Sequence, residues 1–555
     1  MMSEEIDRNL SAPRRGGTGG HRRKSGAHPK AWLRIAIAVT VVGAILVLPS
    51  NPAAFAFTGW FGIPLELPVI VLAALLLPAA GFAILRVAAV AILIALLLLK
   101  LADLGMEAAF QRPFNPYLDL KIIGDGWNLL SGTIGRMEAS LVAAAAIAAC
   151  LLIAAILFRS LAGFRQISVE ASRILAAAMA GILLLGAAIV FLSPPVPHVS
   201  AHATAFLLNR VSMIRQSMTD LAVFERELAA DPLAALPPQQ LFSKLEGTDV
   251  LFVFVESYGR SALTDRRYSG SIRDRLAQME AGAAAAGLEV RSGWLTSPTR
   301  AGLSWLAHGA LLSGLWTDSQ IRYDRMIASR RPTINALFRQ AGWRTTAIMP
   351  AITMVWPESA YFGYDSVRDA DGLGYRGKPF NWVTMPDQYT LSAFERLERS
   401  GKDRPVMAQI ALISSHAPWT PVPVLIDWSD VGDGSIFDEQ AMAGEPPAVV
   451  WADPDRVRQH YLACLEYVLE TLSSYVGRYG RNTLTVVVGD HQPAAIITGE
   501  GASRDVPVHI IGPPAAIEHT ASWNWQRGMI PGEDRSPLPM NAFRELFVRT
   551  FSGSG

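Results

Sequence analysis

The chain has 555 residues, 51% of them hydrophobic, and a formal net charge of +1. That length exceeds one ordinary domain, so at least two parts are expected, and the near-zero charge gives no basis for a nucleic-acid partner. Two cysteines, Cys150 in an apolar run and Cys464 in a predicted helix, argue against a disulfide framework or a Cys-based metal site. In chain order, residues 1–31 form a basic leader with Arg14, Arg15, Arg22, Arg23, Lys24 and Lys30. Its Gly, Ser and Pro content predicts a disordered cytoplasmic segment that sets topology rather than a nucleic-acid arm.

Five apolar stretches follow, at about 32–50, 66–85, 87–105, 139–158 and 174–193. Each approaches the roughly 20 residues a helix needs to cross about 30 Å of hydrocarbon. With the leader inside, Arg86 and the Arg159, Arg165, Arg173 loop also fall inside, as the positive-inside bias requires. Five spans then place everything after Ser193 outside, which in a bacterium is the periplasmic or extracellular face of the cytoplasmic membrane. Ala54-Phe55-Ala56 resembles a cleavage site, but losing the first span would leave four spans that begin outside and end outside. Residues 194–247 read as a linker region: Ser193-Pro194-Pro195-Val196-Pro197 cannot continue a helix. A helical pattern then runs over 203–229, broken by Pro232, Pro237 and Pro238.

From about residue 248 the pattern alternates. Val250–Val255 is a continuous apolar run, as in a strand covered on both faces. Similar runs recur at Arg344–Met349, Val406–Ser414, Leu484–Val488 and Val506–Ile511, with helical patterns at 270–286, 332–341 and 454–479 between them. The expected fold is therefore an N-terminal α-helical membrane domain followed, over 248–555, by an α/β domain. Its sheet is expected to be mostly parallel, with helices on both faces. Such sheets bind ligands beyond the carboxyl ends of their strands. Three strand ends carry candidates: Glu256 after the first, His416 after 406–414, and Asp490-His491 after 484–488. A mixed carboxylate and imidazole set suits Zn²⁺ or Mn²⁺ better than Ca²⁺ or Mg²⁺.

Ser304 opens a short predicted helix that ends at Gly314. The free N–H groups and dipole at that position favour a phosphate and an alkoxide, although a simple N-cap role is equally compatible. Upstream, Thr296-Ser297-Pro298-Thr299-Arg300 holds two rival hydroxyls, Ser297 and Thr299.

The order Glu, helix-initial Ser, mid-chain His and Gly-Asp-His resembles the alkaline phosphatase/sulfatase superfamily. Sulfatases place the nucleophile nine residues before a Thr-Gly or Ser-Gly pair, and Ser304 stands nine residues before Ser313-Gly314, with Leu311-Leu312 in register. Thr296 stands seventeen residues away, which makes 296–300 an approach loop. The whole arrangement is similar to lipoteichoic acid synthases and their phosphoglycerol- and phosphoethanolamine-transferase relatives. That resemblance implies a single divalent ion, Mn or Zn, held by Glu256, Ser304, Asp490 and His491, with Ser304 as nucleophile and His416 on the substrate phosphate. It implies a phospholipid donor and an envelope glycan or lipid acceptor, with a phosphodiesterase, phosphatase or sulfatase-type hydrolase as the alternative.

Two departures matter. Sulfatase maturation would need Pro at 306 and Arg at 308, where this chain has Leu306 and His308, so sulfate chemistry is disfavoured. Phosphoglycerol transferases carry Trp-x-Arg against the headgroup, whereas this chain has Trp356-Pro357-Glu358. A carboxylate there could pair with a cationic headgroup. Arg300, His308, Trp356 and Glu358 complete the candidate substrate contacts. His509 is expected to pack within a strand and Asp387 to cap a helix.

Overall fold

A computed structural model describes residues 29–55, 63–110, 112–120, 124, 126–127, 130–131, 135–192, 199–200, 202–401 and 403–553. The expected disordered leader and the Ala56 end of the possible cleavage site lie outside these residues. The chain divides into two compact units: Met1–Leu48, Trp60–Leu97 and Val142–Ala205 in one, and Pro49–Gly59, Leu98–Leu141 and Phe206–Gly555 in the other.

The first unit is helical, with α1 (Pro29–Val47), α2 (Glu66–Leu76), most of α3 (Ala79–Phe110), α4 (Arg136–Leu161) and α5 (Val169–Leu192). Among the described residues four of these are long and apolar enough to cross a membrane; α2 is not. The sequence expectation of a break near Arg86 is corrected to Pro78. Leu77 is extended (φ −67°, ψ 146°) because the residue before a proline is pushed out of the helical region, so the apolar segment that begins at 66 stops after 11 residues. That helix is about 16 Å long. At one end the Arg165 guanidinium donates to the Leu77 carbonyl, and Arg34 donates to Gln166 at 3.0 Å. At the other end β1 (Ile63–Pro64), just before α2, pairs with β2 (Val199–Ser200), just after α5. The start of α1 and the strand after α5 therefore lie at opposite ends.

In the second unit the last turns of α3 meet α6 (His202–Ala229), where Arg210 forms a buried ion pair with Asp103. Asn115 donates to Ser217 at 2.8 Å alongside. The expected linker helix at 203–229 is thus α6.

A nine-stranded sheet organises the rest: β3 (Asp249–Val255), β4 (Glu289–Thr296), β5 (Arg344–Ile348), β6 (Ser366–Arg368), β7 (Val406–Leu412), β8 (Thr483–Gly489), β9 (Asp505–Gly512), β10 (Gln526–Arg527) and β11 (Leu538–Pro539). The order is β10-β4-β9-β8-β3-β7-β5-β6, with β11 beside β4. Strands β8, β3, β7, β5 and β6 are mutually parallel; β9 runs antiparallel to both β8 and β4. Alternate residues of β3 enter two cores. Leu251, Val253 and Val255 face α7 (Ser269–Ala285), α9 (Asp387–Phe394) and α10 (Pro454–Tyr479). Val250, Phe252 and Phe254 face α8 (Ser304–Ser313) and α11 (Ala542–Phe551). Burial on both faces is why the strands read as unbroken apolar runs.

Candidate active site

Register brings the carboxylates together. Val255 of β3 is level with Gly489 of β8 and with Leu412 of β7, so the next residues emerge side by side at the carboxyl edge. The ladder continues one step further: Glu256 N–H donates to the Leu412 carbonyl at 3.1 Å, and Asp490 N–H to the Val255 carbonyl at 3.2 Å. Gly489 is required here. A Cβ at that position would lie 1.9 Å from the Tyr258 carbonyl oxygen.

Asp490 is fixed by two backbone donors to Oδ1, from Ser257 at 2.8 Å and His491 at 2.6 Å. Ser257 takes a left-handed backbone (φ 57°) to make this contact. His491 Nδ1–H donates to the Gln492 carbonyl at 2.9 Å, which leaves the Nε2 lone pair directed inward. Nε2 stands 3.1 Å from Glu256 and 3.7 Å from Asp490.

Ser304 reaches the same point from α8. The chain enters that helix through a tight loop in which Ala301, Gly302 and Leu303 all have positive φ (55°, 135° and 61°). Leu303 occupies the cap position, so Ser304 is not a capping residue. Its hydroxyl donates to Glu256 Oε2 at 3.0 Å and lies 3.2 Å from His491 Nε2. The rival hydroxyls are turned elsewhere: buried Ser297 donates to the Asp490 carbonyl at 2.6 Å, and Thr299 donates to the Gly302 carbonyl at 2.8 Å.

Ligand atoms of Glu256, Asp490 and His491 all lie within 4.8 Å of one another. Burial disfavours every charge in this cluster, so each group is set by its neighbours. Burial and then the Glu256 charge push Asp490 up to about 8. Burial opposes protonation of His491, but the Asp490 and Glu256 carboxylates outweigh it and raise the imidazole to about 9. Burial also works against the Glu256 carboxylate, and His491 overcomes it, holding Glu256 well below the usual carboxylate range. Two buried carboxylates facing one imidazole lone pair retain extra protons when alone, and a divalent cation satisfies the same excess negative charge. The oxygen–nitrogen donor set therefore fits a divalent metal.

A cavity of about 500 Å³ opens from Ser304. His416 lines it, its Nδ1–H donating to the Ala417 carbonyl at 2.5 Å and its ring stacked on Trp382 at 4.1 Å. Trp356 and Glu358 line it too, with Trp356 packed 5.9 Å from Phe362. His308, one turn beyond Ser304, faces the cavity beneath Phe254 and accepts from Gln409 Nε2 at 3.1 Å. Desolvation pushes its pKa down to about 3, so it stays neutral.

Arg300 is the exception. It is not among the cavity-lining residues; its backbone bridges Gln492, and Glu107 and Asp505 partly offset the burial and the Arg504 charge that lower its pKa. The sequence missed Tyr323, Trp382 and Gln409, which come from three separate elements and carry no shared spacing. Asp387 is also corrected. Pro386 holds the cap position, and the Asp387 carboxylate instead accepts from the Ile413 and Ser414 N–H groups at 2.8 and 3.1 Å. It thereby pins the segment that leads to His416. His509 is buried in β9 as expected, between Tyr258 at 3.1 Å and Ser292 at 2.8 Å.

Residues 248–506 match the Sulfatase family model. The matched segment, which holds Glu256, Ser304, His416, Asp490 and His491, is similar to a sulfatase domain. No curated protein matches the chain. Among solved structures it is similar to the integral membrane lipooligosaccharide phosphoethanolamine transferase A of Neisseria meningitidis, with 14% identity, 94% of each chain covered and a TM-score of 0.43. It is also similar to the lipoteichoic acid synthase LtaP of Listeria monocytogenes: 14% identity, 48% of this chain and 66% of that chain, TM-score 0.34. A third likeness is to the Streptococcus pyogenes phosphoglycerol transferase GacH in complex with sn-glycerol-1-phosphate, with 13% identity, 53% of this chain and 74% of that chain, and a TM-score of 0.33.

Proposed function

We propose that the chain is a membrane-anchored, metal-dependent phosphotransferase. It moves a phospholipid headgroup phosphate ester, phosphoglycerol or phosphoethanolamine, through a Ser304-linked intermediate onto an envelope glycan or lipid. The observation that carries this reading is the placement of the Ser304 hydroxyl. It sits at a helix N-terminus, hydrogen bonded into the Glu256–Asp490–His491 cluster, and opens on a largely apolar cavity.

A Zn²⁺ or Mn²⁺ ion held by Glu256, Asp490, His491 and the Ser304 hydroxyl supplies Lewis-acid charge for ionising the hydroxyl and neutralising the phosphate. The Ser304 oxygen attacks phosphorus in line, the phosphorus–oxygen bond to diacylglycerol breaks, and diacylglycerol leaves with a proton. His416 Nε2, free because Nδ1 is engaged, steadies a phosphate oxygen or carries that proton. An acceptor hydroxyl then attacks the seryl phosphodiester and restores Ser304. Water in its place would make the same residues a phosphodiesterase.

Of the two headgroups, the cavity favours ethanolamine. Among the described residues no Lys or Arg lines it, whereas Glu358, Trp356 and Trp382 do. A carboxylate with aromatic faces recognises an ammonium group. The catalytic unit faces the periplasmic or extracellular side of the bacterial cytoplasmic membrane, because the Arg34 and Arg165 end of the helical unit takes the positive-inside position.

The test is product analysis with the detergent-solubilised full chain, Mn²⁺ or Zn²⁺, and radiolabelled phosphatidylethanolamine or phosphatidylglycerol. Diacylglycerol released faster from the ethanolamine lipid supports the headgroup reading, and equal or reversed rates contradict it. Label recovered only as the free phosphate ester, whatever acceptor is added, would make the enzyme a hydrolase.

A further inference from the structure

A polar chain crosses the apolar wall of the cavity. Gln409 lies in β7, level with Phe252 of β3 and Ala347 of β5, and is 1% exposed. A buried amide costs free energy unless its groups are hydrogen bonded, so its partners say what it is for. The Tyr364 hydroxyl donates to Oε1, and Nε2 donates to His308 Nδ1 at 3.1 Å. Tyr364 is held in turn by rings: Phe362 stacks on it at 6.0 Å and Trp356 stands at 6.1 Å, and both of these line the cavity.

The direction of this chain fixes the state of His308. With a hydroxyl donating to Oε1, the amide Nε2 is the donor toward His308 and Nδ1 is the acceptor. The imidazole proton therefore sits on the His308 Nε2. Burial pushes the ring's pKa down to about 3, so it carries that one proton and no charge. The Phe254 ring at 3.9 Å packs against the imidazole, and among the described residues no protein group accepts the Nε2 proton. His308 stands four residues after Ser304 on α8, so the two side chains leave the same face of the helix about 5.4 Å apart along its axis. Both line the cavity.

We propose that His308 donates from Nε2 to an oxygen of the transferring phosphate, and that Gln409 and Tyr364 are positioning residues that hold it in the tautomer able to do so. A fixed neutral donor stabilises the charge that grows on a phosphate oxygen in the transition state, without adding a second cation beside the metal cluster. The proposal rests on the reading of the substrate as a phosphate ester.

The experiment uses the detergent-solubilised full chain with Mn²⁺ or Zn²⁺ and has two readouts: steady-state turnover of phosphatidylethanolamine, and orthovanadate binding by calorimetry. His308→Phe lowers kcat about a hundredfold while KM, metal content and melting temperature hold. His308→Gln, which keeps a neutral N–H donor, returns kcat to within about tenfold of the parent. Gln409→Met, similar in length but without the amide, lowers kcat about tenfold with KM held. Orthovanadate binds His308→Phe about tenfold or more weakly than the parent. Unchanged kcat and vanadate affinity in His308→Phe overturn the proposal, and so does a rise in KM with kcat held. His308→Gln as slow as His308→Phe also overturns the donor role, and parental kcat in Gln409→Met overturns the positioning role. If the parent turns over no phospholipid but vanadate affinity still falls in His308→Phe, the phosphotransferase reading fails and the donor stands.

Discussion

Ser304 has two side-chain partners, and they pull on its proton from different directions: Glu256 accepts it at 3.0 Å, and His491 offers a lone pair at 3.2 Å. Replacing Ser304 by Ala removes the hydroxyl that reaches both Glu256 and His491; Ser257 donates to Glu256 at 3.1 Å, and Ser297 and Thr299 donate to backbone carbonyls. Turnover in Ser304→Ala should fall by roughly a thousandfold or more, with metal content and melting temperature little changed. Glu256→Gln should instead lower metal affinity by more than about a hundredfold, read by elemental analysis after dialysis against chelator. Retention of stoichiometric metal would remove Glu256 from the ligand set. A third residue gives a pH signature. Burial pushes Asp387 up to about 7, against hydrogen bonds from Ile413 and Ser414 that favour its charge. The folded state therefore keeps this proton between pH ~4 and ~7 while the unfolded chain has released it, so stability from this group declines as pH rises through that window. Asp387→Asn keeps an oxygen acceptor for the two N–H groups and has no such slope. The melting-temperature advantage of the variant over the parent should grow from pH 4 to pH 7; a constant difference would contradict the assignment.

At the scale of elements, the site depends on strand ends that are level. Gly489→Ala forces a methyl against the Tyr258 carbonyl and must displace β8 or the turn after β3. A loss of about 3 kcal/mol or more is expected, measurable by chemical denaturation, with metal binding weakened as well. Much of this arrangement was legible in the sequence. Glu256, His416 and Asp490-His491 each follow an apolar run, and the nine-residue step from Ser304 to Ser313-Gly314 corresponds to α8. The antiparallel side of the sheet was not legible, because Val506–Ile511 is buried on both faces and reads like a parallel strand although β9 runs the other way. Asp387 misled for a local reason: Asp at a helix start usually caps, but here the carboxylate turns to the neighbouring strand end. Tyr323, Trp382 and Gln409 meet at the cavity only through packing, which no spacing encodes.

For the whole molecule, the five apolar stretches were read correctly as helices, but one of them proved short, because Pro78 and not Arg86 sets its end. The orientation proposed for the helical unit has a direct test. A membrane-impermeant thiol reagent applied to intact cells should label Glu518→Cys and leave Gln166→Cys unlabelled. Labelling of both, or of Gln166→Cys alone, would reverse the proposed orientation. The central claim, however, concerns a bond. The most direct measurement is intact-mass analysis of the full chain after incubation with mixed phospholipids and Mn²⁺ or Zn²⁺. The account predicts one added phosphate-ester mass on Ser304, equal to phosphoethanolamine, that vanishes in Ser304→Ala. The same adduct persisting in Ser304→Ala, or turnover with no serine adduct at any time point, would contradict it.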